Sequence, residues 1–294
     1  MRPDTTRTTP PVRAEFERAP GALGDVGAIT RERSRWQRLT DRPAIRRGFI
    51  LLALAILWQV YASRLHNPLL FPSFTSAMVA WWRALVFGPL LLRAWNSVST
   101  LLIGYGIGIV LALALTTTAV LSRIGEDFLS TLTAMFSPLP AIALLPLALI
   151  WFGLGKASII FVLVHAVLWA VAVNVLAGFV SVSDTLRMAG RNCGLRGWRY
   201  VMRILVPAAS PAILAGLKVG WMFAWRTEIA AELVFGATSG SGGIGWYIFE
   251  NQNDLQTAAV FGGLLTVIVI GLLVEGLVFR TIELQTVRKW GMQR

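Results

Sequence analysis

The chain has 294 residues, of which 55% are hydrophobic and only 14% charged, and its formal net charge is +12. This composition is too apolar for a water-soluble domain of that length, so it excludes a soluble enzyme and indicates an integral membrane protein. The single cysteine, Cys193, excludes a disulfide framework, and the histidines His66 and His165 lie too far apart to suggest a metal-ligand pair.

Basic residues are distributed unevenly, and their distribution predicts the topology. Eleven arginines precede residue 48, five more lie within 184–203, and further Arg and Lys residues follow near the C-terminus. Because cytosolic loops of membrane proteins carry an excess of Lys and Arg, both termini are expected in the cytosol. We therefore interpret the positive charge as a topology signal next to lipid, and we expect no nucleic-acid partner.

Three regions follow one another along the chain. Residues 1–44 are basic, lack an apolar period and predict a disordered cytosolic tail. A membrane domain is predicted at 45–282 and a short cytosolic C-terminal tail at 283–294. Within the membrane domain, apolar runs long enough to cross ~30 Å of hydrocarbon predict an all-α fold with six transmembrane helices. The predicted spans are 45–63, 94–119, 126–150, 157–181, 209–235 and 257–280.

Two features lie near the start of this domain. The segment 73–90 carries a pair of tryptophans and ends in a Gly-Pro break, which favours an amphipathic helix at the membrane surface over a further span. In the second run, Gly104, Gly106 and Gly108 form a stretch of small residues. Helices in lipid associate through such faces, so we expect this helix inside the bundle.

The third run contains three prolines, Pro138, Pro140 and Pro146. Proline removes a helical hydrogen bond and clashes with the preceding turn, so this span must kink or unwind. Unwound backbone at membrane depth is tolerated where protein or a water-filled cavity covers it. The prolines are therefore candidates for the translocation path, and the alternative is a kinked helix that faces lipid.

A polar loop, 182–206, separates the fourth and fifth runs on the predicted cytosolic side. Asp184 is placed to begin a helix and Gly194 to end it with a sharp turn, which predicts a helix-turn-helix protrusion. Cationic and aromatic side chains on such a protrusion can bind a partner protein, although the arginines alone would also satisfy the positive-inside rule. These side chains are Arg187, Arg191, Arg196, Trp198 and Arg199.

The same loop resembles the EAA loop of bacterial ABC importer permeases, in which Glu-Ala-Ala is followed by Gly and later by Ile-x-Leu-Pro. Ala189, Gly194 and Pro207 match that pattern in register, whereas Met188 stands at the Glu position and Gly190 at the second Ala. Further segments, in the same chain order, resemble the branch that imports nitrate, taurine and sulfonates. They are Phe71-Pro72-Ser73, Pro138-Leu139-Pro140, Trp151-Phe152-Gly153-Leu154-Gly155, Ala224-Trp225-Arg226, Ala231-Glu232 and Gly242-Gly243-Ile244-Gly245.

The resemblance implies the transmembrane domain of a type I ABC importer in the bacterial cytoplasmic (inner) membrane. Such a subunit is not an enzyme; it would act as a homodimer with two ABC ATPase subunits, which hydrolyse ATP with Mg²⁺, and with an extracytoplasmic solute-binding protein. No cofactor is expected in this chain, and no glycine-rich stretch ends in the Gly-Lys-Ser/Thr of a phosphate loop. The solute is expected to be a small anion of the nitrate, sulfonate or taurine kind.

The fifth run carries four charges, each of which would be costly at the centre of a bilayer. Lys218 and Arg226 lie on one helical stripe, and Glu228 and Glu232 form another. Each is a candidate for the translocation path; Arg226 can alternatively bind a neighbouring helix and hold the bundle together. A different class of protein, an ion-coupled carrier or channel without an ATPase, would use the two glutamates as a proton relay.

Overall fold

The computed structural model describes residues 43–235 and 242–288, and every regular element in these ranges is helical. Contacts divide the chain into two units, residues 1–54 and 55–294. Of the first unit, the described part forms the beginning of the first helix. The predicted tail at 1–44 lies largely outside the described residues. Of the predicted tail at 283–294, residues 283–288 continue the last helix and residues 289–294 lie outside the described ones.

The predicted all-α fold is confirmed. Helix bounds follow the apolar runs closely because each run is bounded by Gly, Pro or polar residues that interrupt helical hydrogen bonding. The helices are α1 (Pro43–Leu65), α2 (Phe74–Val86), α3 (Leu90–Ala119), α4 (Arg123–Phe136), α5 (Leu145–Phe152), α6 (Lys156–Val180), α7 (Asp184–Asn192), α8 (Gly197–Ala208), α9 (Ser210–Phe235), α10 (Ile244–Asn253) and α11 (Thr257–Leu273). Beyond α11 the chain stays helical through π-helical and α-helical turns to Arg288.

Four helices among the described residues are long and apolar enough to cross a membrane: α1, α3, α6 and the continuous helix that begins with α11. Two further spans arise if each of two bent helix pairs counts as one. The first pair is α4 with α5, bent by 85°, and the second is α8 with α9, bent by 78°. The structure thus contains four to six spans, and the count of six stays a prediction.

The bend between α4 and α5 lies at the prolines that predicted it. α4 ends at Phe136, the backbone at Pro140 is extended, and a 3₁₀ turn at Ala141–Leu144 leads into α5. Pro146 has a different position, since it lies in the first turn of α5. A proline there loses no helical hydrogen bond, so it starts the second half of the broken pair instead of bending it.

The core of the second unit surrounds α6, whose side chains Val162, Val167, Val171 and Val175 are fully buried. α3 packs against α6 through small residues: a Cβ at Gly104 would lie 2.6 Å from the Cβ of Leu163. Gly108 lies equally close to Val167, whereas a Cβ at Gly106 would meet no atom within 4 Å. The predicted close packing is confirmed for Gly104 and Gly108 only, because these are one turn apart and share a face.

The segment 73–90 forms α2 as predicted, capped by Ser73, whose hydroxyl accepts a hydrogen bond from the Ser76 amide. α2 packs on α11, where the indole of Trp81 donates to the Thr266 hydroxyl at 2.9 Å. This bond satisfies the polar edge of an otherwise apolar ring. The predicted break falls between the end of α2 at Val86 and the start of α3 at Leu90.

Candidate functional site

The protrusion predicted at 182–206 consists of α7, a tight turn and the beginning of α8. α7 starts at Asp184, and its side chain and that of Met188 are exposed one turn apart. Met188 leaves 57% of its surface exposed, although it is apolar. Ala189, the second residue of the segment Met188-Ala189-Gly190 that aligns with Glu-Ala-Ala, is also exposed.

The turn after α7 has the geometry of a Schellman motif. The Leu195 amide donates to the Gly190 carbonyl at 3.1 Å, and the Gly194 amide donates to the Arg191 carbonyl at 2.9 Å. Gly194 has φ = 76°, a left-handed conformation that costs a residue with a Cβ about 1–2 kcal/mol. The predicted sharp turn at Gly194 is therefore present.

Gly190 departs from the family-like pattern, and its surroundings explain why glycine fits. Gly190 is buried, and a Cβ there would lie 2.8 Å from Cγ1 of Ile204 on α8 and close to the ring of Tyr200. The absence of a side chain lets α7 and α8 approach closely. The substitution of Gly for Ala is thus matched by the packing of the second helix.

Arg187 points back into the chain, unlike the other cationic residues of the loop. Its guanidinium donates to the Val182 carbonyl at 3.0 Å and to the Phe179 carbonyl, at the C-terminal end of α6. A cation stabilises that end of a helix, where carbonyls lack helical partners. Arg187 therefore fastens α7 to α6 and is occupied within the chain, whereas the remaining predicted contact residues are exposed. These are Arg191, Arg196, Trp198 and Arg199, with Trp198 60% exposed.

Pro207 marks the end of α8, after a π-helical stretch at Val201–Leu205. α8 stops at Ala208, and α9 leaves at the 78° bend. Gly178 on α6 lies against Ala209 and Ala212 at this bend, where a Cβ would approach the Ala212 Cβ to 2.5 Å. The loop thus passes directly into the fifth apolar run.

A cavity of about 490 Å³ lies beside the break between α4 and α5. Pro138 and Pro140 line it, and Pro146 does not. The opposite walls come from α6 and α9 and include His165, both of whose ring nitrogens are buried without a partner among the described residues. A solute-sized cavity at an unwound segment is the geometry expected of a path-lining element. The aromatic and polar side chains around it are Phe136, Trp169, Phe223, Asn174 and Thr227.

A second cavity, of about 600 Å³, lies between α9 and the helix that begins with α11. Lys218 and Arg226 both line it, as their shared helical stripe predicted. The Lys218 ammonium pairs with the Glu283 carboxylate at 2.7 Å. Arg226 is exposed and makes no hydrogen bond or ion pair with any described residue. The alternative role predicted for Arg226 was a bond to a neighbouring helix, and no such bond is present among the described residues.

Glu228 and Glu232 line neither of these cavities. Glu232 accepts hydrogen bonds from the Ser97 hydroxyl and from the Gly245 amide, each at 2.8 Å. Glu228 is fully buried beside it, and neither of its carboxyl oxygens has a hydrogen-bond partner among the described residues. These contacts give Glu232 the role of a cap at the N-terminus of α10. A path-lining role for the pair stays a prediction.

Some residues of these sites were not singled out from the sequence. Ser97 carries no sequence signal, because its role depends on contact with a residue 135 positions away. Gly243 was part of the family-like segment 242–245, but its contact was not predicted: it lies against the Glu232 carboxyl, where any side chain would overlap it. Glu275, in the wall of the second cavity, does have a signal: it is an acidic residue inside the last apolar run, where charges are costly.

Comparisons with known proteins agree with this architecture. The family model described as "Binding-protein-dependent transport system inner membrane component" matches residues 104–280. The taurine transport system permease protein of Escherichia coli (strain K12) is 28% identical over 257 residues, which cover 82% of this chain and 88% of that protein. The nitrate import permease protein of Synechocystis sp. (strain ATCC 27184 / PCC 6803 / Kazusa) is 28% identical over 184 residues, covering 63% of this chain and 66% of that protein.

The family match spans more than half of the chain and includes both cavities and the protrusion. The related permeases align over most of the membrane domain. A multi-pass inner-membrane protein with a non-catalytic role in transport is what this family comprises. The chain belongs to the family of binding-protein-dependent transport system inner membrane components, the permease subunits of ABC importers.

Proposed function

We propose that this chain is the permease of an ATP-driven importer for a small anionic solute of the nitrate, sulfonate or taurine kind. Two copies form the translocation path, an extracytoplasmic binding protein delivers the solute, and two ATPase subunits dock on α7 from the cytosol. The observation that carries this proposal is the protrusion of α7 with its Schellman turn at Gly194. Relatives named for taurine and nitrate transport support the solute class.

The surface of α7 and its turn has the composition of a docking site. Exposed apolar side chains at Met188 on α7 and Trp198 at the start of α8 are accompanied by exposed cations. These are Arg191, Arg196 and Arg199. Buried aromatic anchors with a charged rim carry most of the energy of protein interfaces. We infer that Met188 and Trp198 enter a groove of the ATPase and that the arginines pair with its carboxylates.

The carboxylate that the related loops place at the position of Met188 has a substitute here. Asp184 lies one turn earlier, about 6 Å along α7, and on the same exposed face. It would keep a negative charge near the N-terminal end of α7, where the helix dipole favours it. We infer that Asp184 makes the contact to the ATPase for which Met188 has no polar atom.

Two contacts would transmit a movement of α7 to the membrane helices. The Arg187 guanidinium ties α7 to the end of α6, and Gly190 lets α7 pack on Ile204 of α8. α6 and α9 both line the cavity beside Pro138 and Pro140. In this proposal ATP, with Mg²⁺, is bound and hydrolysed by the ATPase, this chain binds no cofactor, and both termini lie in the cytosol.

Reconstitution tests the proposal. The permease is co-expressed with the ATPase and binding protein from its genomic neighbourhood and placed in liposomes, and uptake of labelled taurine, ethanesulfonate and nitrate is followed with and without ATP. We expect ATP-dependent uptake of at least one probe, and co-purification of the ATPase that is lost in Met188→Ala/Trp198→Ala. Phe87→Ala, an exposed apolar residue between α2 and α3, is the matched control.

Uptake that continues without ATP and follows an imposed proton gradient would overturn this proposal. That result would favour the ion-coupled carrier, and the buried pair Glu228 and Glu232 would then be its proton-binding groups. Retention of the ATPase by Met188→Ala/Trp198→Ala would contradict docking on α7 while leaving ATP-driven import intact.

A further inference from the structure

The cavity between α9 and the last helix carries two opposite charges. Arg226 on α9 and Glu275 on the continuation of α11 both line it. Both side chains are exposed, and neither makes an ion pair or hydrogen bond with any described residue. Charges inside apolar spans are costly unless they are paired or reach a polar cavity. The charges of Arg226 and Glu275 are therefore compensated either by each other or by a charged solute in the cavity.

The register of the two helices places these charges at a similar level in the cavity. The pair Lys218–Glu283, at 2.7 Å, fixes one level of contact. Arg226 follows Lys218 by eight residues, and Glu275 precedes Glu283 by eight residues in the opposite direction. Each interval corresponds to about 12 Å along a helix, slightly less in the π-helical turns. Arg226 and Glu275 thus lie at about the same level, two turns from a closed ion pair, and both line the cavity.

The wall between these charges is aromatic. Trp221 and Trp225 line the cavity, and their indole rings are stacked at an angle of 7°. The Trp225 ring nitrogen is already occupied, since it donates to the Val267 carbonyl at 3.3 Å. Both rings keep only 7% of their surface exposed, so they contribute a closely packed, largely apolar part of the wall.

The charges on the two walls discriminate between classes of solute. When no solute is bound, the opposite charges attract each other. A simple anion that binds Arg226 would leave Glu275 without a counter-charge and facing a second negative group. A simple cation that binds Glu275 would likewise leave Arg226 without a counter-charge and facing a second positive group. A solute that carries both charges replaces the attraction between Arg226 and Glu275 with one ion pair to each of them. Neither side chain is then left unpaired.

We propose that this cavity is a binding site for a small zwitterion, whose anionic group pairs with Arg226 and whose ammonium group pairs with Glu275. The inference rests on the proposed importer function and narrows its solute from an anion to an anion that also carries a cationic group. The indole rings of Trp221 and Trp225 would face the chain between the two groups. Selectivity then belongs in part to the permease itself.

Matched probes test this site in the purified permease–ATPase complex in nanodiscs, without the binding protein. Taurine is compared with ethanesulfonate and β-alanine with propionate, because each pair differs by the amino group. We expect the wild type to bind the amino member of at least one pair at least tenfold more tightly. Glu275→Gln should abolish that preference, whereas Arg226→Gln should weaken both members of the pair.

The control variant is Glu126→Gln, a half-buried carboxylate on α4 that lines neither cavity, and it should keep the wild-type preference. Equal affinity within both pairs, or an equal loss of both members in Glu275→Gln, would overturn the zwitterion site. ATPase retention and ATP hydrolysis are measured on the same samples. Their absence in the wild type would contradict the importer function, and their presence without discrimination would contradict this site alone.

Discussion

The Ser97 hydroxyl on α3 lies 2.8 Å from each carboxylate oxygen of Glu232 on α9, and this contact joins the two helices. Ser97 also accepts a hydrogen bond from the Ile244 amide, and Glu232 accepts one from the Gly245 amide, each at 2.8 Å. These amides belong to the first turn of α10, where helical partners are absent. One serine and one glutamate thus hold the entry of α10 against the bundle.

Removing this hydroxyl should destabilise the permease. In Ser97→Ala the Ile244 amide and the Glu232 carboxylate each lose a buried partner, and we expect a loss of about 1–3 kcal/mol in the free energy of unfolding. Thermal unfolding in detergent measures the loss. Ser99→Ala is the control, because within the described part of the chain that hydroxyl bonds only to the Asn96 carbonyl of its own helix. Equal effects of the two substitutions would contradict the bridging role.

The glycines of α3 should differ sharply in their tolerance of a side chain. Gly104→Val and Gly108→Val place atoms inside the contact with α6, where even a Cβ would come within 2.7 Å of Leu163 or Val167. Gly106→Val meets open space. We expect the first two variants to fold poorly, with overpacking costs of about 1–3 kcal/mol or more. Yield of monodisperse protein on size exclusion separates these cases, and a poor yield of Gly106→Val would contradict the packing.

The turn at Gly194 should respond to backbone preference and not merely to side-chain size. Valine tolerates φ = 76° badly, whereas asparagine often adopts this conformation. Gly194→Val should therefore uncouple ATP hydrolysis from uptake or release the ATPase, and Gly194→Asn should retain most of the coupling. The ratio of solute transported to ATP hydrolysed is the measurement. Normal coupling in Gly194→Val would show that this turn does not transmit motion.

Two arginines of the same loop should give opposite phenotypes. Arg187→Ala removes the donor to the Phe179 and Val182 carbonyls, so we expect lower thermal stability even without the ATPase. Arg191→Ala removes an exposed cation and should leave stability within about 0.5 kcal/mol while weakening ATPase retention. Melting curves and co-purification are compared for each variant. A stable Arg187→Ala protein that loses the ATPase would assign Arg187 to the interface instead.

Thiol labelling checks the predicted orientation. Cys193 is exposed at the end of α7, so a membrane-impermeant maleimide should label it in inside-out vesicles only. In a Cys193→Ser background, Leu69→Cys introduces a thiol at an exposed position between α1 and α2. That thiol should react from the outside in intact cells. The reverse pattern would place the termini and α7 outside the cytosol.

Much of the fold was predictable from the sequence because the signals are local. Apolar runs located the long helices within a few residues, and Pro138 and Pro140 predicted the break between α4 and α5. The φ of Gly194 also follows from local chemistry, since a helix that ends in glycine commonly turns left-handed there. Pro146 shows the limit of that reasoning, since a proline bends or starts a helix according to its position in it.

The site was less predictable, because its contacts join distant parts of the chain. The sequence placed Arg187 among the cations for a partner, and only the approach of α6 to α7 directs it to the Phe179 carbonyl. Glu232 was a path candidate on charge alone, and its capping of α10 depends on the position of Ser97 in another helix. Arg226 lines a cavity and Glu228 is buried in the bundle. This difference depends on which side of α9 each residue faces, and the sequence does not show it.

The two cavities have α9 as a common partition. Phe223 and Thr227 line only the cavity beside the proline break, Met222 and Arg226 line only the cavity next to the last helix, and Val219 lines both. A sideways shift of α9 toward α11 would shrink one compartment and enlarge the other. The volumes of the two cavities are therefore inversely linked. A bulky solute in one cavity would displace α9 toward the other and so disfavour binding there, because a single helix forms a wall of both.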